Sequence, residues 1–182
     1  MRSETADLMK LKVVVIGVEN SGKTTLINKL SPGTKSVEHS GKDGKTTAVG
    51  FDMGKMELAG CFIHLFGTPG EQRFEFARKI AFRGAHMGIL MVDSVEPISE
   101  RERNLEQELI ESNLPYVVCA SKRDIPDALP LSEIQMNFSA DVQPITLNTD
   151  SGVDDLRDLL ANIIESKKHS WLVKTEKNLT SA

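Results

Sequence analysis

Short runs of apolar residues alternate along the chain with stretches in which apolar and charged residues recur at helical spacing. The apolar runs predict buried strands at 11–17, 49–58, 61–66, 87–93, 115–120 and 142–147. The one-sided stretches predict helices near 23–30, 74–83, 98–112, 131–138 and 153–168. Alternation of this kind predicts an α/β fold, in which a mostly parallel six-stranded sheet is flanked by about five helices.

Length and composition are those of one such domain. The 182 residues are 40% hydrophobic and 26% charged, which is ordinary for a globular protein. We expect an N-terminal extension at 1–10, the folded domain at 11–168, and a polar C-terminal tail at 169–182 that is frayed from Trp171 onward. The interval 31–47 is rich in Gly, Ser, Thr and Lys, which predicts a mobile loop.

Charge and the lengths of the apolar runs argue against several classes of protein. The net charge of −4 does not supply the positive field that a nucleic-acid partner would need. The longest apolar stretches, such as 87–92, are too short to span a bilayer, and we find neither a signal peptide nor a lipidation motif. The two cysteines, Cys61 and Cys119, lie in apolar strand-like runs and are expected to be reduced. These features predict a cytoplasmic protein without a membrane anchor.

The most specific chemical motif lies directly behind the first predicted strand. Residues 17–24 read Gly-Val-Glu-Asn-Ser-Gly-Lys-Thr, the pattern G-x-x-x-x-G-K-[ST] between a strand and a helix, which is the context of a phosphate-binding P-loop. Backbone N–H groups and the positive end of the next helix would surround an anion. Lys23 would reach the β- and γ-phosphates, and the Thr24 hydroxyl would ligate Mg²⁺. The predicted nucleotide-binding residues of this loop are Gly17, Glu19, Asn20, Ser21, Gly22, Lys23, Thr24 and Thr25.

Polar residues also follow three later strands, at the edge of an open parallel sheet where ligands bind. These are the runs Gly67-Thr68-Pro69-Gly70-Glu71-Gln72, Ser121-Lys122-Arg123-Asp124 and Thr146-Leu147-Asn148. Their order and separation resemble the nucleotide motifs of small Ras-like GTPases over nearly the whole chain. Because Gly67 stands where most relatives have Asp, the chain is most similar to the prokaryotic branch related to gliding-motility and archaeal Arf-like GTPases. The resemblance implies a Ras-like G domain.

The resemblance implies that the base is guanine. Asp124 would accept the N1–H and the exocyclic amine of guanine, a bidentate pair that adenine cannot make. Lys122 would lay its aliphatic stem over the base, although an isolated K-x-D can also be a solvated turn. Ser121 replaces the family's Asn, so the amide that braces this loop is lost. The backbone N–H of Leu147 would face the guanine carbonyl, and Asn148 in the same loop is a further predicted nucleotide-binding residue.

The predicted metal site departs further from the family pattern. Ala48 stands where relatives have a Mg²⁺-binding Thr, and Thr47 could reach the metal only after a shift of one residue. Asp52 matches an acid in the second strand of those relatives that lack the acid at position 67, although it could equally be an exposed acid at a sheet edge. The predicted metal ligands are therefore Thr24, Thr47 and Asp52, with Mg²⁺ as cofactor and GTP or GDP as ligand.

The predicted catalytic positions indicate slow hydrolysis. Glu71 follows Gly70 in place of the usual water-orienting Gln, and an ionised Glu can only accept hydrogen bonds and adds repulsion. Gln72 could replace it through a shift of register. The side chain of Glu19 should obstruct an arginine inserted by a partner. The predicted catalytic residues are Lys23, Gly70, Glu71 and Gln72.

The implied function is a GTPase that slowly converts GTP to GDP and phosphate. It would switch the segments 31–47 and 67–80 and so bind or release an unknown protein effector or activator. One alternative is a nucleotide-binding interaction module with negligible turnover, which Glu71, Ala48 and Ser121 favour. An ATP-dependent P-loop kinase is a less favoured alternative, because no Arg-rich insertion follows the P-loop.

Four further residues are considered for roles outside nucleotide binding. Asp93 ends a predicted strand, where it could be a displaced metal-binding acid but is interpreted as the cap of a turn. His64 and His86 lie in apolar surroundings and are interpreted as core residues. Phe76 follows the Gly70 motif and belongs either to the core or to an exposed partner surface.

Overall fold

The computed structural model of the chain describes residues 8–32, 52–70 and 75–179. Its strands are β1 (Met9–Gly17), β2 (Asp52–Leu58), β3 (Cys61–Gly67), β4 (Met87–Asp93), β5 (Tyr116–Ser121) and β6 (Val142–Pro144). Its helices are α1 (Lys23–Leu30), α2 (Glu75–Phe82), α3 (Glu100–Glu111), α4 (Leu131–Gln135) and α5 (Val153–Leu179). Each described element lies in a region where the apolar pattern predicts an element of the same type.

The six strands form one sheet in the order β2-β3-β1-β4-β5-β6. β2 runs antiparallel to β3, and every other neighbouring pair is parallel. Parallel neighbours bring their carboxyl ends to the same edge, so the loops that follow β1, β3, β5 and β6 meet there. The predicted α/β fold, a mostly parallel six-stranded sheet with five helices among the described residues, is confirmed.

The core lies on both faces of the sheet. Alternate side chains of β1 point to opposite faces. Val13 and Val15 pack with residues of α1 and α5 in one cluster, whereas Val14 and Ile16 pack with residues of α2, α3 and α4 in the other. Because the second half of β1 is covered on both sides, Val13 to Ile16 form an unbroken apolar run, whereas the first half alternates with Lys10 and Lys12. This double burial anchors the strand that carries the P-loop.

The last helix is longer than the sequence pattern predicts. We expected it to end near 168 and the chain to fray from Trp171, but α5 continues to Leu179, so that expectation is wrong. Trp171 is 8% exposed, and its ring packs edge-to-face on His86 with centroids 5.5 Å apart. Burial of one large aromatic ring offsets the cost of ordering further helical turns. Among the described helices, none has both the length and the apolar character needed to cross a bilayer.

The last strand is shorter than predicted, ending at Pro144 instead of 147. Ile145 still donates its N–H to Ala120 of β5 at 2.9 Å, but Thr146 then pairs with Ser151 in an isolated antiparallel bridge. The chain therefore turns away from the sheet at Thr146. That turn places Leu147 and Asn148 in a loop at the carboxyl edge of the sheet.

Candidate nucleotide-binding site

The P-loop backbone is shaped by close approaches that exclude side chains. A Cβ atom on Gly17 would lie 2.4 Å from the carbonyl oxygen of Met91 and 2.6 Å from the Ser21 hydroxyl. Gly22, at the start of α1, has a φ of 96°, which L-residues with side chains rarely adopt. The Ser21 hydroxyl donates to the carbonyl of Val18 at 2.9 Å and closes the turn. The loop therefore connects the end of β1 to the start of α1, as the motif predicts.

Lys23 is held inside this loop. Its ammonium donates to the carbonyl oxygens of Gly17 at 2.9 Å and Val18 at 2.6 Å. Burial lowers the pKa of Lys23 to about 8, while the carboxylates of Asp52 and Glu19 act in the opposite direction. A desolvated ammonium interacts strongly with an anion that enters the loop, because little water remains to screen the charge.

The Thr24 hydroxyl and Asp52 lie together although they are 28 positions apart in the sequence. The hydroxyl of Thr24, in the first turn of α1, hydrogen-bonds to Oδ2 of Asp52 at the start of β2. Asp52 is paired with Gly67 across the β2–β3 ladder. A Cβ atom on Gly67 would lie 3.0 Å from Cβ and 3.4 Å from Oδ2 of Asp52. The carboxylate of Asp52 thus occupies the region into which a side chain at position 67 would project.

These groups fit a magnesium site of the kind found with nucleotides. Hydroxyl and carboxylate oxygens are the donors that Mg²⁺ prefers, and Mg²⁺ commonly takes its remaining ligands from phosphate and water. Within the described residues, no group of three or more His, Cys, Asp and Glu side chains could hold a metal by itself. Thr24 and Asp52 would therefore hold the ion together with the phosphates. Thr47, the third predicted ligand, lies outside the described residues.

Two adjoining cavities lie at the carboxyl edge of the sheet. The first, called here the phosphate cavity, has a volume of about 520 Å³ and is lined by Asn20, Gly22, Lys23, Thr24, Thr25 and Lys122. The second, called here the base cavity, has a volume of about 280 Å³ and is lined by Asn20, Gly22, Thr25, Ser121, Lys122, Asp124, Ile125, Leu147 and Asn148. The two share four lining residues. The structure thus brings together the predicted residues from the P-loop and from the loops that follow β5 and β6.

Ser121 joins three parts of the site. Its hydroxyl lies 2.9 Å from the carbonyl oxygen of Ser21 in the P-loop and 3.0 Å from that of Val92 in β4, and it can donate to either. Ser121 is almost fully buried, so these contacts are shielded from water. The amide that braces this loop in relatives is absent here, and the Ser121 hydroxyl stands in its place. The smaller hydroxyl is close enough to make the brace.

Lys122 is held by an acid that we interpreted only as a turn cap. Asp93 does cap a turn, since its Oδ1 accepts the N–H of Val95 at 3.0 Å. Its Oδ2 forms an ion pair with the ammonium of Lys122. Asp93 ends β4 directly beside Ser121 in the parallel ladder. The sequence does show an acid, Asp93, at the carboxyl end of a predicted strand. Its pairing with Lys122 could be predicted only if β4 and β5 were known to be neighbours.

Asp124 also has a side-chain partner. Nδ2 of Asn148 donates to Oδ2 of Asp124 at 3.0 Å across the mouth of the base cavity. Both residues are exposed, and they are 24 positions apart in the sequence. Asn148 was predicted to bind nucleotide, and the contact shows that it also touches the carboxylate that would read the base.

The segment after β3 begins against the P-loop. A Cβ atom on Gly70 would lie 2.6 Å from the backbone nitrogen of Glu19, so only a residue without a side chain fits there. Arg101, in the first turn of α3, donates to the carbonyl oxygen of Gly70. Sequence reasoning missed Arg101, although a cation in the first turn of a helix is unfavourable for the helix dipole and could have been noticed for that reason. The predicted catalytic residues Glu71 and Gln72 lie outside the described residues.

Helix α2 is fixed to α3 on one side and exposed on the other. Arg78 is nearly buried and makes a bidentate ion pair with Glu108, at 3.1 Å from Nε and 2.9 Å from Nη2. On the outer side, Phe76 is 74% exposed and Ile80 is 43% exposed. For Phe76, the exposed alternative is therefore the correct one.

The two histidines differ in how they are held. Nδ1 of His86 accepts the backbone N–H of Lys12 at 3.1 Å, as expected of a core histidine. His64 lies between the rings of Phe62 and Phe66, with centroid distances of 5.0 and 6.5 Å. Burial lowers the pKa of both side chains, which keeps them neutral near pH 7.

The chain is similar to several known proteins. A protein of Methanocaldococcus jannaschii without an assigned function is 36% identical over 118 residues, which are 65% of this chain and 73% of that protein. The ADP-ribosylation factor-like protein 6 of Caenorhabditis elegans is 28% identical over 134 residues, 68% of this chain and 66% of that protein. The crystal structure of the G domain of the T. maritima FeoB iron transporter superposes with a TM-score of 0.63 and 27% identity, covering 82% of this chain and 95% of that one.

A family model assigns the chain to a family. The model for 50S ribosome-binding GTPases matches residues 12–122, which include the P-loop, the Gly67–Gly70 segment and Lys122. This match covers more than half of the chain, and its limits coincide with β1 to β5 of the described fold. The chain therefore belongs to the 50S ribosome-binding GTPase family and has the G-domain fold of a P-loop GTPase.

Proposed function

We propose that this protein is a GTP-dependent molecular switch that hydrolyses GTP to GDP and phosphate slowly. The observation that carries the proposal is the arrangement of the two adjoining cavities. One offers Lys23 and Thr24 to phosphates, and the other offers the carboxylate of Asp124 to a base. The G-domain fold supports this assignment, since it is the fold of a GTP-binding family. The proposal includes the cytoplasm as the place of action.

Guanine recognition would depend on Asp124 and Lys122. The carboxylate accepts two N–H groups from guanine, whereas adenine offers neither of them in that arrangement. The ion pair with Asp93 holds the Lys122 ammonium aside, so that its aliphatic stem can lie along the base. We expect GTP and GDP to bind at least about tenfold more tightly than ATP, a difference of about 1.4 kcal/mol.

Calorimetry with GTP, GDP and ATP tests this base assignment. Equal affinity for ATP and GTP would contradict it. Asp124→Asn should weaken guanine binding and admit xanthine, whose 2-oxo group requires a donor. The matched control is Asp127→Asn, an exposed acid three residues along the same loop that does not line the base cavity. Mass spectrometry of the nucleotide that co-purifies with the protein gives an independent answer.

The metal role is assigned to Thr24 and Asp52. Bound Mg²⁺ neutralises charge on the β- and γ-phosphates. Asp52 would supply from β2 the carboxylate that Gly67 cannot supply from β3, while Thr24 supplies a hydroxyl from the P-loop. The position of the Asp52 carboxylate in the space beside Gly67 supports this role. It also supports the assignment to the gliding-motility and Arf-like branch, in which an acid of the second strand takes this part.

Hydrolysis is expected to be slow, at roughly 10⁻⁴ to 10⁻³ per second, on the scale of unassisted Ras-like enzymes. Lys23 would hold the γ-phosphate, and the backbone of Gly70 lies against Val18 and Glu19 of the P-loop. The water-orienting group would be Gln72 or Glu71. If Gln72 has this role, Gln72→Ala lowers the single-turnover rate and Glu71→Ala leaves it unchanged or raises it. If Glu71 has it, Glu71→Ala removes most of the activity and the remaining rate loses a carboxyl-type pH dependence.

The second candidate is an interaction module that binds nucleotide with negligible turnover. Ala48 and Glu71 favour it, because each replaces a group that hydrolysis normally uses. Ser121 no longer counts in its favour, because the hydroxyl braces the loop after β5. Single-turnover phosphate release separates the two, since the module would bind GTP with Mg²⁺ and release no phosphate.

The proposed output is the binding or release of a protein partner through the segments 31–47 and 67–80. The exposed Phe76 and Ile80 on the outer side of α2 support the second segment, because exposed apolar side chains close together are typical of protein contacts. A pull-down with the protein loaded with either a non-hydrolysable GTP analogue or GDP tests this output. Partners that bind both forms equally would contradict the switch.

A further inference from the structure

Asn148 is placed so that it can orient the carboxylate of Asp124, the group proposed to bind the base. Its Nδ2 donates to Oδ2 of Asp124 at 3.0 Å, and both side chains line the base cavity. A carboxylate has about four lone-pair positions on its two oxygens. Asp124 can therefore accept two N–H groups of guanine and one N–H of Asn148 at the same time. The contact is compatible with base binding and does not compete with it.

The loop that carries Asn148 is held in place on three sides. Thr146 donates its N–H to Ser151 at 2.8 Å and closes the loop at its base. Leu147 is nearly buried and lies against Gly22 of the P-loop. Lys29 of α1 forms an ion pair with Asp150 at 2.7 Å. Asn148 is thus an exposed donor carried on a backbone that these contacts hold in place.

The side chain of Asp124 is exposed, so burial does not restrain it. An exposed carboxylate rotates freely about its side-chain torsions, and that freedom is lost when it binds a base in one orientation. A donor on the fixed neighbouring loop removes part of this cost in advance. Once a base covers the cavity mouth, water is excluded and the hydrogen bond strengthens.

We propose that Asn148 is a positioning residue for guanine specificity, which acts by orienting the Asp124 carboxylate toward the base. This inference depends on the proposed guanine-nucleotide function. Asn148 would then do more than contact the nucleotide. It would determine which polar atoms of residue 124 face the base. The effect should appear in the discrimination between bases more than in the affinity for phosphates.

The first test removes the donor and retains the shape. Asn148→Leu should reduce the preference for GDP over IDP, which lacks the exocyclic amine, by about three- to tenfold, as expected for one hydrogen bond. The preference for GDP over ADP should fall in the same direction. The matched control is Asn137→Leu, which removes an exposed amide that donates to the carbonyl of Glu133 at 2.9 Å, away from both cavities. Unchanged GDP:IDP and GDP:ADP ratios in Asn148→Leu would overturn the inference.

The second test uses the two-sided character of an amide. In Asp124→Asn, the donor of Asn148 should attract the new carbonyl oxygen and leave the amino group facing the base, which favours XDP over GDP. Adding Asn148→Asp supplies an acceptor in place of that donor, so the amide should turn over and present its carbonyl oxygen to the base. The double variant should therefore lose the xanthine preference and bind GDP at least about tenfold better relative to XDP than Asp124→Asn does.

The outcomes separate this inference from the proposed function. Reversal of the GDP:XDP ratio supports it, because a residue with only a structural role would lower affinities without turning the base preference around. The same xanthine preference in both variants, with unchanged melting temperatures, would overturn it and leave the base assignment intact. A parent protein that binds ADP as tightly as GDP would refute the base assignment, and the role of Asn148 with it.

Discussion

The base cavity and the phosphate cavity adjoin each other but are built in different ways. Around the base cavity, the two side chains proposed to recognise guanine each have a side-chain partner, Asp93 for Lys122 and Asn148 for Asp124. Around the phosphate cavity, the Lys23 ammonium is bonded to carbonyls of its own loop, and the acid, Asp52, comes from β2. The difference suggests that base choice is built in before the ligand binds, whereas phosphate and metal binding rearrange the groups that receive them.

The largest effect is expected from Lys23→Ala, which should weaken GTP and GDP binding by about a hundredfold or more. The variant removes the buried ammonium that would pair with the phosphates, and losing one member of a buried charge pair costs several kcal/mol. Fluorescence titration with labelled GDP measures the loss. Lys79→Ala, which removes an exposed lysine paired with Glu75, should bind as the parent does. Retained binding in Lys23→Ala would contradict the assignment of the phosphate cavity.

The next effect concerns the acid that lies beside Gly67. Asp52→Asn should weaken the Mg²⁺ dependence of GTP binding by about ten- to a hundredfold, the range seen when metal-site partners are removed. Binding in EDTA should change little. Glu57→Gln alters an exposed acid on the same strand and serves as the control. A magnesium titration of Asp52→Asn that coincides with that of the parent would show that Asp52 is only a surface acid at the sheet edge.

A pH dependence should distinguish the two cavities further. The pKa of Lys23 is lowered to about 8 in the free protein, and phosphates beside the ammonium would raise it in the complex. Binding therefore takes up a proton above pH 8, so affinity is highest below pH 8 and falls by up to about tenfold per pH unit above it. Calorimetry at pH 8.5 in buffers of different ionisation enthalpy measures the proton uptake. The Lys23→Arg variant stays charged and should show no proton uptake on binding. Proton uptake that persists in this variant would assign the proton to another group.

The smallest effect is expected at the brace between the two cavities. Ser121→Ala should lower the free energy of unfolding by about 1 kcal/mol and weaken nucleotide binding only severalfold, because it removes one buried hydrogen bond. Ser132→Ala, on the partly exposed start of α4, is the control. Thermal melting and GDP titration measure the two quantities. A loss of binding as large as that of Lys23→Ala would show that the base cavity is less preformed than the contacts suggest.

Much of this protein could be predicted from short stretches of sequence. The apolar run of β1 and the pattern at 17–24 predicted a strand, a loop and a helix, and all three are present. Such features are local, since glycine spacing and apolar periodicity act on the backbone over a few residues. The position at which α5 ends does not depend on local sequence alone. It depends on Trp171 packing against His86, a residue far away in the sequence that directly precedes β4. The helical pattern near Trp171 therefore could not predict it.

The sequence alone determined the order of the nucleotide motifs and the type of each described element. Only the tertiary structure decided which side chains meet: Asp52 with Thr24 beside Gly67, Asp93 with Lys122, and Asn148 with Asp124. The physical reason is the range of the interactions involved. Backbone conformation responds to neighbouring residues, whereas these contacts join residues 24 to 29 positions apart and exist only because the strand order brings the loop ends to one edge of the sheet.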